Sequence, residues 1–236
     1  MTLNSKEIIK IFILALFLSS FIWLPQATLG QKENSEVDLI WSAKTYVPNN
    51  YTGKPLASAG SQVEVIAEVN NKTGYQSDLF FDWRINDQSR SDLSGIGKNT
   101  VEFTMNQSNV KIKIQVLKDD QVIGTDQTSI QLVKPEVLLY AKRNPFKTQS
   151  SFNFQANQKA SLRVIPFFFK TRHLQFMQYQ WALDSEIISQ KDSKKNPHIL
   201  NLEIGQLKEV IEKTLSITIE KDSQKEQLKT SIRLSP

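Results

Sequence analysis

Two histidines and five turn aspartates are the residues whose types and spacing come nearest to chemistry in this chain. His173 and His198 each stand in a polar, turn-like segment, without a His, Cys or Asp at the spacing of a metal site. The aspartates carry oxygen atoms of the kind that Ca²⁺ binds, but not at the spacing of an EF-hand loop: Asp87, Asp92, Asp119, Asp120 and Asp126. Because Asp readily forms turns through its own side chain, we predict surface histidines, turn-forming aspartates and no metal site.

Catalytic motifs are missing from the sequence. It contains no Gly-x-Ser-x-Gly elbow, no phosphate-binding Gly loop and no His-Glu-x-x-His helix motif. It also contains no cysteine, which excludes disulfides, thiolate metal sites and a Cys nucleophile. We therefore predict a non-enzymatic protein without a cofactor. The remaining catalytic alternative is a site assembled across the junction of two domains.

Two Trp-centred segments organise the chain. Phe80–Ile85 and Gln178–Leu183 lie 98 positions apart, each at the same place within a run of short segments in which apolar and polar residues alternate. A period of two is typical of strands that bury one face. Trp83 and Trp181 then fall on the third strand, where a sandwich places a large aromatic side chain between its sheets. The predicted fold class is all-β, with two tandem antiparallel sandwiches of the immunoglobulin-like (Ig-like) kind.

The repeat predicts two domains of about 100 residues, a size that can bury its own core. They comprise residues 37–135 and 136–236. Only about three residues, 133–135, connect the last strand of the first domain to the second, without a Gly/Ser-rich spacer, so we expect a semi-rigid rod. The repeat offset grows to about 103 at the closing hairpin, and the apolar spacing within 205–213 predicts a short helix there.

The N-terminus has the layout of an export signal. Residues 1–30 combine a basic start, a 14-residue apolar run over 11–24 and a polar end with small residues. The run is shorter than the roughly 18 residues of a spanning helix. We predict either a signal cleaved after Gly30 or a retained hydrophobic anchor helix, followed by a flexible tether over 31–36. In both cases the rest of the chain is expected to be exported and extracytoplasmic, at the membrane or cell surface.

Three consecutive phenylalanines mark the candidate partner-contact site. Successive residues of a strand point to opposite faces, so at least one of Phe167, Phe168 and Phe169 is exposed unless another element covers it. Basic and polar residues extend this patch: Lys170, Arg172 and His173. The loop of the first domain adds two aromatic candidates: Tyr46 and Tyr51. The alternative is that the domain interface or the predicted helix covers the phenylalanines.

Charge is distributed unevenly between the two predicted domains. Residues 31–135 carry 11 Lys and Arg against 13 Asp and Glu, net −2, whereas residues 136–236 carry 16 against 10, net +6. A basic domain favours anionic partners, although a solvated lysine-rich surface is the simpler interpretation. We expect envelope or surface proteins or anionic wall polymers as partners, membrane contact through an uncleaved N-terminus, and no nucleic acid.

Several segments of the first half together resemble a family of exported tandem Ig-like proteins, close to the PKD type, from small-genome uncultured bacteria. They are Leu39 to Ala43, Tyr46 to Pro48, Tyr51 to Leu56, the Trp83 strand and Ser94 to Asn99. The resemblance is strongest over 37–135 and only general over 136–236, where the loop motif and the Gly-x-Gly-Lys turn are missing. It implies a seven-stranded sandwich and an envelope role, and it carries over no catalytic residues. Because one fold serves many functions, that role is an analogy.

Two functional hypotheses follow from the sequence. The first is a non-enzymatic envelope or cell-surface protein whose tandem sandwiches form a rod for adhesion or for scaffolding a surface assembly. The second is a module that binds carbohydrate or wall polymer through exposed aromatic residues and the basic second domain. Export, the short connection and the lack of catalytic motifs favour the first hypothesis.

Overall fold

In the computed structural model, the described part of the chain comprises residues 37–70, 76–141, 151–188 and 196–236. The predicted export signal or anchor, 1–30, and the tether, 31–36, lie outside it. Strands make up the regular structure of the described residues, apart from two short 3-10 helices, Gln76–Asp78 and Leu174–Phe176. The all-β prediction is confirmed. Within these ranges no helix combines the length and the apolar character that a bilayer crossing requires.

The first sandwich consists of two antiparallel sheets that share one core. Its strands are β1 (Val37–Ala43), β2 (Gln62–Val69), β3 (Phe80–Ile85), β4 (Gln88–Ser89), β5 (Gly95–Ile96), β6 (Thr100–Thr104), β7 (Asn109–Lys118) and β8 (Gln121–Gln131). The smaller sheet has the order β1-β2-β6. The larger sheet has the order β4-β3-β7-β8, with β5 also paired to β3.

The second sandwich has a similar plan, with an additional strand at one edge of its larger sheet. Its strands are β9 (Glu136–Ala141), β10 (Ser151–Gln155), β11 (Lys159–Phe167), β12 (Gln178–Leu183), β13 (Glu186–Ile187), β14 (Ile199–Glu203), β15 (Ile211–Lys221) and β16 (Gln224–Ser235). The smaller sheet has the order β14-β11-β9 and the larger one β10-β16-β15-β12-β13. The pairing of β10 with β16 is parallel, and the other pairings of this sandwich are antiparallel.

Alternation along the strands explains why each sandwich has one apolar interior. In β2 the residues Val63, Val65, Ala67 and Val69 are buried, and their neighbours are partly or fully exposed. The buried apolar residues form two separate clusters, one between Val37 and Ile130 and the other between Leu139 and Ile232. This order of short strands in two facing sheets is Ig-like, whereas the PKD-like subtype and the two domain boundaries stay predictions.

The two Trp strands are equivalent in detail. Trp83 and Trp181 are both buried, as predicted. The indole N–H of Trp83 donates to the carbonyl of Lys98 at 2.8 Å, and that of Trp181 donates to the carbonyl of Pro197 at 3.0 Å. Each indole N–H is therefore hydrogen-bonded to the chain that leads into the next strand.

Tight turns close the long hairpin of each sandwich, and in the first sandwich the turn is formed by two of the predicted turn aspartates. Asp119 and Asp120, between β7 and β8, have φ of 49° and 63°. Positive φ at both central residues is the backbone twist that a two-residue hairpin needs, and Asp tolerates it better than most residues. Asp222, between β15 and β16, has φ of 52°. These aspartates thus serve the turns.

The helix predicted within 205–213 is wrong. Residues 204–210 are irregular and Ile211 already begins β15, paired with Leu234 of β16. A segment this short cannot stabilise a helix by itself, and pairing with a long neighbouring strand satisfies its backbone better. Leu207 packs against the second core from the irregular segment.

Candidate functional site

The predicted contact residues converge on the junction between the two sandwiches. The backbone of Tyr46, in the long loop after β1, pairs with the segment that follows β11. Its N–H donates to the carbonyl of Phe169 at 2.9 Å, and its carbonyl accepts from the N–H of Phe168 at 2.8 Å. These two hydrogen bonds join the loop of the first sandwich to the second sandwich as a strand pair would.

Aromatic rings cover this backbone contact. The ring of Tyr51 meets Phe167 edge-on at 5.7 Å between centroids and Phe168 at 6.2 Å. Edge-to-face contacts of this kind add a small attraction to the burial of apolar surface. The long loop therefore reaches the second sandwich with side chains as well as with backbone.

Phe168 departs from the strand pattern on which the exposed-patch prediction rests. β11 ends at Phe167, and Phe168 has φ of 60°, a left-handed conformation unusual for a bulky residue. The chain turns there, so Phe169 enters the second core. Both residues are buried. The prediction that they contact a partner needs correction, because the first sandwich and the core already occupy their surfaces.

Gln224 forms the polar centre of the junction. This residue is the first of β16 and its side chain is buried. Its amide nitrogen donates to the hydroxyl oxygen of Ser58 at 2.8 Å and to the carbonyl of Ala59 at 3.1 Å, both in the first sandwich. Its amide oxygen accepts from the N–H of Lys170 at 2.7 Å. The amide is therefore well satisfied, as a buried polar group must be.

The linker between the two sandwiches, residues 132–135, contacts the same turn around Ser58. Val133 forms a parallel bridge with Ser58, and its N–H donates to the carbonyl of Ala57 at 2.8 Å. Between the end of β8 and the start of β9 lie residues 132–135, so the connection is short, as predicted. The hairpin of the second sandwich and the linker therefore both meet the turn around Ser58.

The remaining predicted contact residues are placed as follows. Three of them are partly buried at the junction: Phe167, Tyr46 and Lys170. Tyr51 stays exposed beside them. Arg172 and His173 are exposed. The aromatic residue that lies next to them on the surface is Phe176, whose side chain is 56% exposed and meets the His173 ring at 5.6 Å. Phe176 is not among the contact residues predicted from sequence, because it lies apart from the run of three phenylalanines.

The ionisable groups of the described chain whose pKa departs from its ordinary value owe the shift to structural pairs or to burial. A hydrogen bond from Lys213 lowers the pKa of Asp184, and one from Lys221 lowers that of Asp222. Burial raises the pKa of Tyr46 and of Tyr179, so neither phenol ionises near neutral pH. These shifts keep every one of these groups in its ordinary charge state rather than preparing an acid or base.

The turn aspartates likewise have partners inside the fold. Asp92 pairs with Arg90 at 2.6 Å and Asp87 with Lys111 at 3.2 Å. Asp126 accepts the N–H of Leu39 at 2.8 Å. Among the residues that the structure describes, no group of three or more His, Cys, Asp or Glu side chains could hold a metal ion.

Comparisons with known proteins return similarities of fold only. No protein-family model and no curated protein match the chain. Among solved structures, the three N-terminal domains of the bacteriophage RB49 outer capsid protein Hoc align over 85% of this chain with 13% identity and a TM-score of 0.47. The alignment spans 59% of that structure.

Two further solved structures are similar at the same level. The fibronectin(III)-like modules of Clostridium thermocellum CbhA align over 83% of this chain and 93% of their own, with 13% identity and a TM-score of 0.29. A tandem of titin Ig domains aligns over 85% of this chain and 97% of its own, with 9% identity and a TM-score of 0.33. The Ig-like assignment rests on the sheet order and pairing described above.

Proposed function

We propose that this chain is a non-enzymatic protein of the cell envelope or cell surface, in which two Ig-like sandwiches form a fixed scaffold for adhesion or for a surface assembly. The observation that carries the proposal is the junction. Neighbouring modules of one chain move relative to each other by default, so a fixed arrangement requires contacts that hold one orientation. Here Tyr46 and Gln224 make four hydrogen bonds between the sandwiches.

The amide of Gln224 supports the scaffold role because it is selective for one arrangement. A buried amide that loses its partners costs roughly 1–3 kcal/mol. Any rotation that separates Gln224 from Ser58 and Ala59 leaves the amide without these partners and is disfavoured by that free energy. A purely apolar contact would allow the two sandwiches to shift relative to each other without such a loss. A scaffold needs such a defined relative orientation to present its two sandwiches to a partner at once.

Export and charge supply the proposed location and partners. The N-terminal signal or anchor directs the sandwiches out of the cytoplasm, and residues 136–236 carry a net charge of +6. Positive charge attracts anionic wall polymers and acidic surface proteins over distances of about 10 Å at ordinary ionic strength. These are the partners we propose, with membrane contact through an uncleaved N-terminus.

Affinity capture of the full chain from envelope fractions of cells that produce it tests this function. We expect wild-type chain to enrich envelope proteins or wall polymer, and Gln224→Ala to enrich them less. Gln121→Ala is the matched control, because Gln121 begins β8 as Gln224 begins β16 but is exposed. Recovery of no partner, together with no binding to wall polymer or to whole cells, would refute the proposal.

Binding of carbohydrate or wall polymer is a second candidate, favoured by one observation. Phe176 projects from the surface next to His173, with Arg172 close by in sequence. An exposed ring beside polar and basic groups suits stacking on a sugar. In a glycan array, Phe176→Ala should abolish binding while Phe80→Ala, an exposed Phe of the first sandwich, retains it. Equal binding by both variants would exclude this site.

A further inference from the structure

An exposed row of apolar side chains crosses the outer face of the larger sheet in the first sandwich. We call it the apolar row, and its members come from four strands: Ile96 of β5, Phe80 of β3, Leu117 of β7 and Val122 of β8. Each is the direct cross-strand partner of the next, so the four side chains lie side by side.

The exposure of the apolar row is high for such residues. Ile96 is 70% exposed, Val122 52% and Phe80 42%, and Leu117 is partly buried between its neighbours. Single exposed apolar residues are ordinary on protein surfaces, but a contiguous set marks an interaction site. The core does not need these side chains, because Phe81 and Val116, their sequence neighbours, fill it from the opposite face.

The second sandwich has a different row in the same register. Gln178, Glu220 and Lys225 stand at the positions of Phe80, Leu117 and Val122, and they pair in the same order across β12, β15 and β16. Lys225 and Glu220 form an ion pair. Polar and charged residues therefore serve this fold at these positions. The apolar row is a property of the first sandwich and not a requirement of the sheet.

Charges of opposite sign lie at the two sides of the apolar row. Beyond it, at the hairpin end of the sheet, stand four charged residues with net −2: Asp78, Lys118, Asp119 and Asp120. On the other side, along β3 and β7 and the turn after β3, stand five with net +1: Asp82, Arg84, Asp87, Lys111 and Lys113. Asp82 and Arg84 approach to 3.7 Å, and Lys111 is paired with Asp87.

We infer that the apolar row is the contact surface for a second copy of this chain, related by a two-fold axis that runs along the row. A two-fold contact brings the same patch of both subunits together. With the axis along the row, apolar side chains meet apolar side chains, and the acidic hairpin end of each copy faces the basic side of the other. An axis along the strands would place like charges over each other. Self-association of this face does not require the envelope role proposed above.

The decisive variant transfers the row of the second sandwich to the first. The triple change Phe80→Gln, Leu117→Glu and Val122→Lys introduces side chains that this fold already carries at the same register. We expect full-length wild-type chain in a mild detergent to sediment as a concentration-dependent dimer, and the triple variant to remain monomeric with unchanged circular dichroism. Ile187→Gln, on exposed β13 of the second sandwich, is the control and should dimerise like wild type.

A cross-linking experiment locates the axis. Because the chain has no cysteine, Val122→Cys and Lys225→Cys each introduce one thiol at equivalent register positions of the two sandwiches. A short bis-maleimide should link two copies through Cys at 122 at least tenfold faster than through Cys at 225. A monomeric wild-type chain, a dimer that survives the triple change, or equal cross-linking at both sites would each overturn the inference. A monomer that instead captures another protein through the row would also overturn it.

Discussion

The amide nitrogen of Gln224 donates to the hydroxyl oxygen of Ser58 at 2.8 Å, across 166 positions of sequence. Ser58 also bridges Val133 of the linker. Ser58 of the first sandwich therefore contacts both the linker and the β15–β16 hairpin of the second sandwich. Two separated attachments to one turn prevent rotation about the linker, which a linker alone would permit.

Replacement of Gln224 by alanine should weaken the junction by roughly 1–3 kcal/mol, because Ser58, Ala59 and Lys170 lose a buried partner. The free energy of unfolding from urea titration measures the loss. The exposed counterpart Gln121→Ala should change it by less than about 0.5 kcal/mol. A Gln224→Ala chain as stable as the Gln121→Ala control would contradict this account of the junction.

Substitution of Gly60 tests the turn that carries Ser58 and Ala59, the partners of Gln224 at the junction. It has φ of +74°, and its N–H donates to the carbonyl of Met105 at 2.8 Å. A methyl group would meet Lys170 only at ordinary contact distance, so the cost of Gly60→Ala comes from the left-handed backbone, about 1–2 kcal/mol. Thermal unfolding of Gly205→Ala supplies the control, because open space surrounds that residue and its φ is not left-handed. Equal melting temperatures for the two variants would argue against strain at Gly60.

The regular strands could be predicted from sequence because their signals are local. Phe80–Ile85 and Gln178–Leu183 are strands where the alternation places them, and Asp119 and Asp120 form a turn, as predicted from their residue type. Hairpin partners are neighbours in sequence, so pattern and turn chemistry specify them. The helix prediction within 205–213 was wrong because the spacing of Leu207, Val210 and Ile211 suits a loop that leads into a strand equally well.

The junction could not be predicted in the same way. Tyr46 pairs with Phe169, and Ser58 with Gln224, over more than a hundred positions, and such non-local contacts leave no pattern in either segment. The period-two assumption also failed at Phe168, whose positive φ turns the chain out of the strand. The apolar row could not be predicted either. Its members come from four strands, so they can be recognised as neighbours only when the register of the sheet is known.

The paired Trp residues should respond alike to substitution. In Trp83→Phe and Trp181→Phe, the carbonyls of Lys98 and Pro197 lose their indole donors, at a cost of roughly 1–3 kcal/mol each. Trp41 is only partly buried and lies under Lys54 at 4.1 Å, so Trp41→Phe should cost about 1 kcal/mol or less. Urea titration followed by circular dichroism measures the three variants without relying on Trp fluorescence. Unequal losses at the two core Trp residues would show that the repeats are not energetically equivalent.

His198 should make stability depend on pH. Burial lowers the pKa of its imidazole, and the charge of Arg163 lowers it further. The unfolded chain, with an ordinary histidine pKa of about 6.5, then binds a proton at higher pH than the folded chain does. The contribution of His198 to stability is therefore greatest above that value and is lost as the pH falls below it towards the lowered pKa of the folded state, because protonation favours the unfolded state.

The measurement is the melting temperature of the full chain between pH 7.5 and pH 5, in steps across the ordinary histidine pKa. The fall expected in wild type should be smaller in His198→Asn, which cannot take up the proton, and also smaller in Arg163→Gln, which removes the neighbouring charge. Because Arg163 is the second cause and burial the first, His198→Asn should flatten the profile more than Arg163→Gln does. Parallel profiles for all three proteins would show that another group controls the acid sensitivity of the second sandwich.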